Sequence, residues 1–312
     1  MFEGDKNISA IREGIKSLCR KFPNKYWREK DSSRSYPEEF VKALSDHGYL
    51  GCLIPEKYGG SGQRLRTAVV ILEEIHRYGG NGAACHAQMY IMGTLLRYGS
   101  DEQKKKYLPR IAEGSLRLQA FGVTEPVSGT DTLSLKTTAR KHGDKFIING
   151  QKIWTSRAEH SDLMLLLART EDREKVKKKT EGLSVFLIDM VTAKDNGLTI
   201  RPIRTMLNHA TTEVFFDQLE VPLTNLIGEQ GNGFRYIIDG MNAERILIAA
   251  ECIGDSRWFT SKSSRYANER VVFEHPIGKN QGIQFPIAKA YAATEAAALM
   301  TEKATTLYEN GK

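Results

Sequence analysis

Glu244 is the residue whose type and setting most invite chemistry. Ile237, Met241, Glu244 and Ile248 recur at spacings of four, three and four, the period of one helix face, so a carboxylate interrupts an apolar stripe. Its neighbours one turn away in each direction are Gly240 and Ile248, which supply no helix-local cation. On a buried face, desolvation raises a carboxyl pKa toward the range in which a general base works near neutral pH. The other reading, left open by the sequence, is a glutamate that reaches round the edge of the stripe to a distant lysine or arginine.

Two further segments hold residues suited to a ligand. In Phe121-Gly122-Val123-Thr124-Glu125-Pro126-Val127-Ser128-Gly129-Thr130-Asp131, small residues and hydroxyls follow one strand. Such a loop offers backbone N–H groups and hydroxyls to an oxygen-rich planar ligand, or is simply a capped turn. Gly150-Gln151-Lys152-Ile153-Trp154-Thr155-Ser156 places a large aromatic beside two hydroxyls at the end of a hairpin strand, where Trp154 serves either as core or as the wall of a cofactor site.

Other chemistries find no support. Gly59-Gly60-Ser61-Gly62-Gln63 has glutamine where a nucleophile elbow needs its second glycine. Gly228, Gly231 and Gly233 are not spaced as a dinucleotide fingerprint, and no phosphate loop of the Walker type occurs. The histidines at 47, 76, 86, 142, 160, 209 and 275 form no ligand-spaced cluster, which argues against metal catalysis. Cys19, Cys52, Cys85 and Cys252 make no paired spacing, so disulfides are not expected and a reducing compartment is. Forty-five basic against 38 acidic residues give a net charge of +7, without the long basic blocks that track nucleic acid. The densest run, Lys175-Val176-Lys177-Lys178-Lys179, lacks interleaved aromatics and reads as a solvated loop. No stretch reaches the length of a spanning helix and the start lacks a secretory pattern, so the expected location is cytoplasmic, or an organellar matrix after processing.

The elements that must position these residues fall into three regions, an α+β, multi-domain arrangement. Helical periodicity runs through Ile8 to Phe22, from Pro37 through Leu44, from Val70 to Tyr78, from His86 to Leu96, and from a cap at Asp101 to Glu113 with an interruption at Pro109. Beyond residue 118 short β-rich runs appear at 145–148, 163–167, 183–188, 198–200 and 214–216, with turns at His142-Gly143-Asp144 and Asn149-Gly150. Helical period returns from Gly233 and again from Gly282 to Tyr308, joined by a connector over Arg270 to Pro276. The expected domains are an N-terminal helical domain over 1–117, a middle β-barrel or sheet domain over 118–227, and an incomplete C-terminal helical bundle over 228–312.

Taken together, these segments resemble the acyl-CoA dehydrogenase family along essentially the whole chain. Phe121 to Asp131 resembles the V-T-E-P-x-x-G-[ST]-D signature, and Gly150 to Ser156 the G-x-K-x-W-x-[ST] hairpin. Asn268-Glu269-Arg270-Val271-Val272-Phe273 followed by Gln281 resembles the E-R-x-x-F and glutamine pattern. Glu244-Arg245-Ile246-Leu247-Ile248 resembles the isovaleryl- and long-chain-type members, whose catalytic glutamate lies on this helix.

The resemblance implies a flavoprotein using FAD, with its ring between the β domain and the C-terminal helices. Phe121, Val123 and Thr124 would line the flavin, and Thr130 would meet the pyrophosphate or the coenzyme A arm. Trp154, Thr155 and Ser156 would flank the ring. Arg270, Phe273, Asn280 and Gln281 would reach the adenosine-diphosphate part of FAD on a neighbouring subunit, which implies a homo-oligomer, a tetramer or a dimer. Asn242 and Arg245 match positions that touch coenzyme A. The implied reaction is α,β-dehydrogenation of an acyl-CoA to trans-2-enoyl-CoA, with Glu244 as base and an electron-transfer flavoprotein as acceptor. The alternatives are a related oxidase that passes electrons to oxygen, and a non-catalytic assembly form, since the family normally continues past residue 312 through further bundle helices.

Overall fold

The computed structural model describes residues 1–2 and 4–312. Six helices come first: α1 Lys6–Cys19, α2 Asn24–Ser32, α3 Glu38–Asp46, α4 Leu65–Arg77, α5 Ala83–Tyr98 and α6 Asp101–Ala112. The strands follow: β1 Leu118–Gly122, β2 Thr138–His142, β3 Lys145–Ser156, β4 Leu163–Arg169, β5 Leu183–Asp189, a short α7 Met190–Lys194, β6 Leu198–Pro202, β7 Thr211–Pro222 and β8 Leu226–Ile227. The chain ends in α8 Gly233–Glu269, a small hairpin of β9 Val271–Val272 and β10 His275–Pro276, and α9 Gln281–Glu309. Helices, a sheet and helices in that order make the α+β class expected from the sequence.

Two compact units divide these elements, and neither is contiguous in sequence. One comprises Met1–Arg28, Gln63–Gly82 and Arg245–Lys312. Asp5 caps α1 by accepting from the N–H groups of Asn7 and Ile8 at 2.9 and 3.3 Å, which satisfies two of the donors a helix start leaves open. The helices of this unit are tied by a buried ion network. Glu73, fully buried, takes Arg12 at 3.0 Å and is also paired with Arg257, whose guanidinium meets Glu295 at 3.0 Å. A buried carboxylate so held is affordable only because both oxygens are occupied. Gly254 lets α8 lie against α4, because an added Cβ would fall 2.3 Å from the Glu73 carbonyl.

The other unit comprises Glu29–Gly62 and Ala83–Glu244. Its sheet has the order β6-β7-β3-β2-β4-β5-β8, with β1 pairing parallel to β4. Strands β4 and β5 are buried nearly throughout, as their unbroken apolar sequences demand, and pair antiparallel from Leu163↔Asp189 to Arg169↔Leu183. Phe146 and Phe186 meet edge-on at 4.9 Å within the sheet core.

Three local expectations are corrected. Helix α6 is capped by Ser100 rather than Asp101, in a reciprocal box with Gln103. Pro109 does not interrupt it: it falls in the last turn, where one lost ladder bond is tolerated, and the Glu113 N–H still reaches the Pro109 carbonyl at 3.0 Å. Asn149-Gly150 is not a turn but an irregularity within β3, where the register with β7 shifts between Ile148 and Gly150. Asn149 Oδ1 accepts from Gln218 N at 2.9 Å, and Gly150 has φ +148° with Thr137 Oγ1 only 2.5 Å from where a Cβ would lie.

Candidate active site

The hairpin strand β3 carries a second bulge, and it falls on the predicted motif. Lys152 pairs with Val214 of β7, and the next pair is Thr155 with Thr212, so the extra residue must be absorbed between them. Trp154 absorbs it with φ +61°, a left-handed conformation rare for a bulky residue, and its side chain is 57% exposed. The bulge thereby holds an indole out from the sheet on a backbone fixed on both sides. Thr155 is turned inward, and its Oγ1 is buried without a hydrogen-bond partner among the described residues, so a ligand or a water molecule must satisfy it. Ser156, half-buried, pairs with Thr211.

The loop after β1 is held against β3 at three successive residues. Lys152, fully buried, donates from Nζ to the Val123 carbonyl at 3.1 Å and to Glu125 Oε1 at 2.7 Å, while the Ile153 N–H donates to the Thr124 carbonyl at 2.9 Å. The Glu125 carboxylate also accepts from the N–H groups of Lys136 and Thr137 at 2.6 and 2.9 Å. Burial opposes its charge, but Lys152 and these donors outweigh the burial and hold the Glu125 carboxyl below its usual range. Burial in turn pushes the Lys152 ammonium down to about 8, against the pull of Glu125. Phe121 is half-buried, Val123 buried and Thr124 half-buried, whereas Thr130 is exposed at the far end of the loop.

In the same unit, α8 approaches α5 through a glycine. A Cβ at Gly240 would lie 3.2 Å from Thr94 Oγ1 and 4.0 Å from the Tyr90 carbonyl. Just before it, Tyr98 stacks on Tyr236 with ring centroids 4.0 Å apart, and the Tyr98 hydroxyl donates to Asp239. Glu244 follows Gly240 by one turn. The Tyr90 hydroxyl is pushed up by burial and then by the negative charge of Glu244, with Arg157 opposing. Tyr90 also meets Phe121 edge-on, centroids 5.6 Å apart. The tyrosine thus packs against the first residue of the loop motif while its hydroxyl lies within the electrostatic reach of the Glu244 carboxylate.

The stripe that singled out Glu244 is only partly buried. Ile237 is 1% exposed and Glu244 intermediate, but Ile248 is 44% exposed. The buried line runs instead through Ile237, Gly240, Ala243, Leu247 and Ala250, so Glu244 stands at its margin. Asn242 is exposed, as is Arg245, which begins the other unit on the same helix. Arg270, Phe273, Asn280 and Gln281 come together on and beside the hairpin between α8 and α9, all exposed, with Phe273 at 91% and φ +50°. They share no unit with the loop and bulge.

Sequence reasoning missed Tyr90, the Lys152–Glu125 pair and Arg157. Lys152 and Glu125 were visible as letters of two motifs, but no periodicity couples residues 27 apart. Arg157 is buried at φ +59°, its N–H donating to the Ala210 carbonyl at 2.8 Å, a position that nothing in the sequence distinguishes from the surface. Among the described residues no cluster of histidine, cysteine, aspartate and glutamate could hold a metal ion.

Set against known proteins, the chain matches the acyl-CoA dehydrogenase N-terminal domain over residues 5–115, the middle domain over 120–219 and the C-terminal domain over 231–312. The chain belongs to the acyl-CoA dehydrogenase family. It is 35% identical over 285 residues to the cyclohex-1-ene-1-carbonyl-CoA dehydrogenase of Syntrophus aciditrophicus, covering 90% of this chain and 67% of that protein. It is 31% identical to the acyl-CoA dehydrogenase FadE12 of Mycobacterium tuberculosis, covering 97% and 77%. Among solved structures it resembles butyryl-CoA dehydrogenase from Megasphaera elsdenii with a TM-score of 0.92 at 27% identity, covering all of this chain and 82% of that one. The acyl-CoA dehydrogenases are FAD-dependent oxidoreductases. An exposed indole on a rigid bulge beside an unsatisfied buried hydroxyl suits a flat ring with a polar edge, so the residues present fit that group.

Proposed function

We propose that this chain carries out α,β-dehydrogenation of an acyl-CoA thioester to the trans-2-enoyl-CoA, with Glu244 as the base. The observation that supports the reading is the link from Glu244 through Tyr90 to Phe121, which fits a carboxylate of α8 working beside the loop that bears the family signature. The α-hydrogen of a thioester is weakly acidic, so a carboxylate must be held against it in a site poor in water. Glu244 meets that need from the margin of a buried helix face, next to the buried Tyr90.

Bound FAD would supply the acceptor for the hydride of the β-carbon. Phe121, Val123, Thr124, Trp154, Thr155 and Ser156 would hold its ring, and Thr130 would reach toward phosphate. Trp154 presents a face for stacking, and the hydroxyls of Thr155 and Ser156 supply donors at a polar edge. Asn242 and Arg245 are read as contacts to coenzyme A, and the exposed charge of Arg245 suits phosphates. Arg270, Phe273, Asn280 and Gln281 are read as reaching FAD in a second copy, which makes the working form a homo-oligomer. An electron-transfer flavoprotein is read as the acceptor. The three domains are taken as 1–117, 118–227 and 228–312.

The test is an anaerobic titration of the purified, flavin-loaded protein with short, branched and long acyl-CoAs. Bleaching of the oxidised flavin band by at least one of them is expected. A protein that binds FAD but is bleached by dithionite and by no acyl-CoA rules the reaction out.

A further inference from the structure

The buried pair Lys152–Glu125 has no part in the reaction just described, yet both flavin-facing segments converge on it. Lys152 leaves β3 two residues before the strained Trp154, and its Nζ ends on the Val123 carbonyl and the Glu125 carboxylate. The lysine stem passes Gly122: a Cβ there would lie in ordinary contact with Lys152 Cγ at 3.5 Å but only 3.1 Å from Leu166 Cδ1 and Met164 Sδ, so the glycine makes room chiefly for those two side chains. Glu125 extends the connection to a third strand by accepting from Lys136 and Thr137 at the entrance to β2. It also closes the loop tip, where Glu125 and Ser128 exchange backbone hydrogen bonds of 2.9 and 3.1 Å.

A methionine at 152 and a second apolar residue at 125 would fill the same volume without burying charge, and such replacements of buried pairs are often neutral or stabilising. An ion pair placed where an apolar pair would serve the fold contributes something other than stability. What it contributes here is direction. One ammonium with two acceptors fixes the distance between the 121–131 loop and the bulge at 153–156 to within a hydrogen bond, whereas apolar contact would let them slide.

We propose that Lys152, acting through Val123 and Glu125, is a positioning residue that sets the flavin-facing loop in register with the Trp154 bulge. The inference rests on the functional reading above, and goes beyond it by assigning the preorganisation of the flavin side to a pair that touches no reacting atom.

The full chain is compared with Lys152→Met, with the double variant Lys152→Met/Glu125→Met, and with Glu125→Gln, which keeps the shape of the carboxylate and one acceptor for Lys152. Thermal unfolding reports the fold, and titration of the apo-proteins with FAD, followed by flavin fluorescence and the fine structure of its visible band, reports the site. The double variant should unfold at or above the wild-type temperature while binding FAD about tenfold or more weakly and with a blurred visible band. Glu125→Gln should bind FAD with an affinity and band shape between those of the wild type and the double variant, and should melt below both, because it leaves the Lys152 ammonium without its charged partner. If the double variant melts like the wild type and binds FAD with unchanged affinity and spectrum, the pair is only structural and the inference is wrong. If the double variant does not fold, the same decision falls to Glu125→Gln, whose unchanged affinity and spectrum overturn the inference. A wild-type chain that takes up no FAD overturns the functional reading itself, a result distinct from either.

Discussion

The Tyr90 ring meets Phe121 edge-on, with centroids 5.6 Å apart and planes at 84°, and the hydroxyl of the same tyrosine is pushed up by burial and then by the charge of Glu244. One buried aromatic thus joins the strand end of the loop motif to the helix that bears the carboxylate. If Glu244 is the base, Glu244→Gln removes proton abstraction while leaving the shape of the cleft. Reduction of bound flavin by acyl-CoA should slow by about a hundredfold to ten-thousandfold, the range a positioned general base contributes. Flavin content and melting temperature should stay near wild type. Stopped-flow absorbance under nitrogen measures the rate, and a variant that still reduces its flavin at the parental rate assigns the base elsewhere.

The approach of α8 to α5 depends on the absence of a side chain at 240. Gly240→Val places a branched group where even a Cβ would be 3.2 Å from Thr94 Oγ1. Forcing extra methyl groups into such a contact costs about 1 to 3 kcal/mol. The helices should move apart near Tyr90, so the loss of flavin reduction rate should exceed what the fall in melting temperature explains. Gly240→Ala should show the same two effects in milder form. Equal activity per folded molecule in all three proteins would show that the spacing of Glu244 from Tyr90 does not matter.

What was legible in the sequence follows from the range of the forces involved. Helical period and apolar runs are local, so α1, α4, α5, α8, α9, β4 and β5 all fall where periodicity placed them. The carboxylate within the α8 stripe was legible for the same reason. Its surroundings were not: that Ile248 is exposed and that the buried line passes through Gly240 and Ala243 depends on which neighbour covers which side. The bulge at Trp154 is likewise a product of pairing with β7, and Asn149-Gly150 reads as a turn until Gln218 is seen to occupy the asparagine. Arg157 and Lys152 drew no reading from the sequence, since arginine and lysine are almost never fully buried unless something pairs with them.

Thiol reactivity offers a check on packing that is independent of function. Cys19, Cys52 and Cys85 are buried and Cys252 is exposed. Burial pushes the thiols of Cys19 and Cys52 up to about 12, with Glu74 adding to the effect at Cys19. Since the thiolate is the nucleophile, both should be inert to iodoacetamide at pH 8. Cys252 is also raised, by burial and then by Asp255 and Glu251, so it should react slowly but first. Mass spectrometry of the native protein should find one adduct, at Cys252, and four after denaturation. Early labelling of Cys19 or Cys52 would mean that the packing around them opens.

The acid limb of the stability curve should carry the signature of Glu125. Its folded pKa lies below its ordinary value, because the ammonium of Lys152 and the backbone donors of 136 and 137 favour the charged form over the cost of burial. As pH falls, the unfolded chain therefore takes up this proton before the folded one does. The carboxylate's contribution is complete above its ordinary value of 4.5 and is lost as pH drops through the depressed folded value. Glu125→Gln abolishes that dependence and leaves Lys152 without its charged partner. The variant should be less stable at pH 7 by up to about 3 kcal/mol, and the gap to wild type should narrow steadily below about pH 4.5. Urea unfolding at a series of pH values measures both curves. Parallel curves through that range would mean that Glu125 is not charged in the folded protein, and that the Lys152 ammonium is held by the Val123 carbonyl alone.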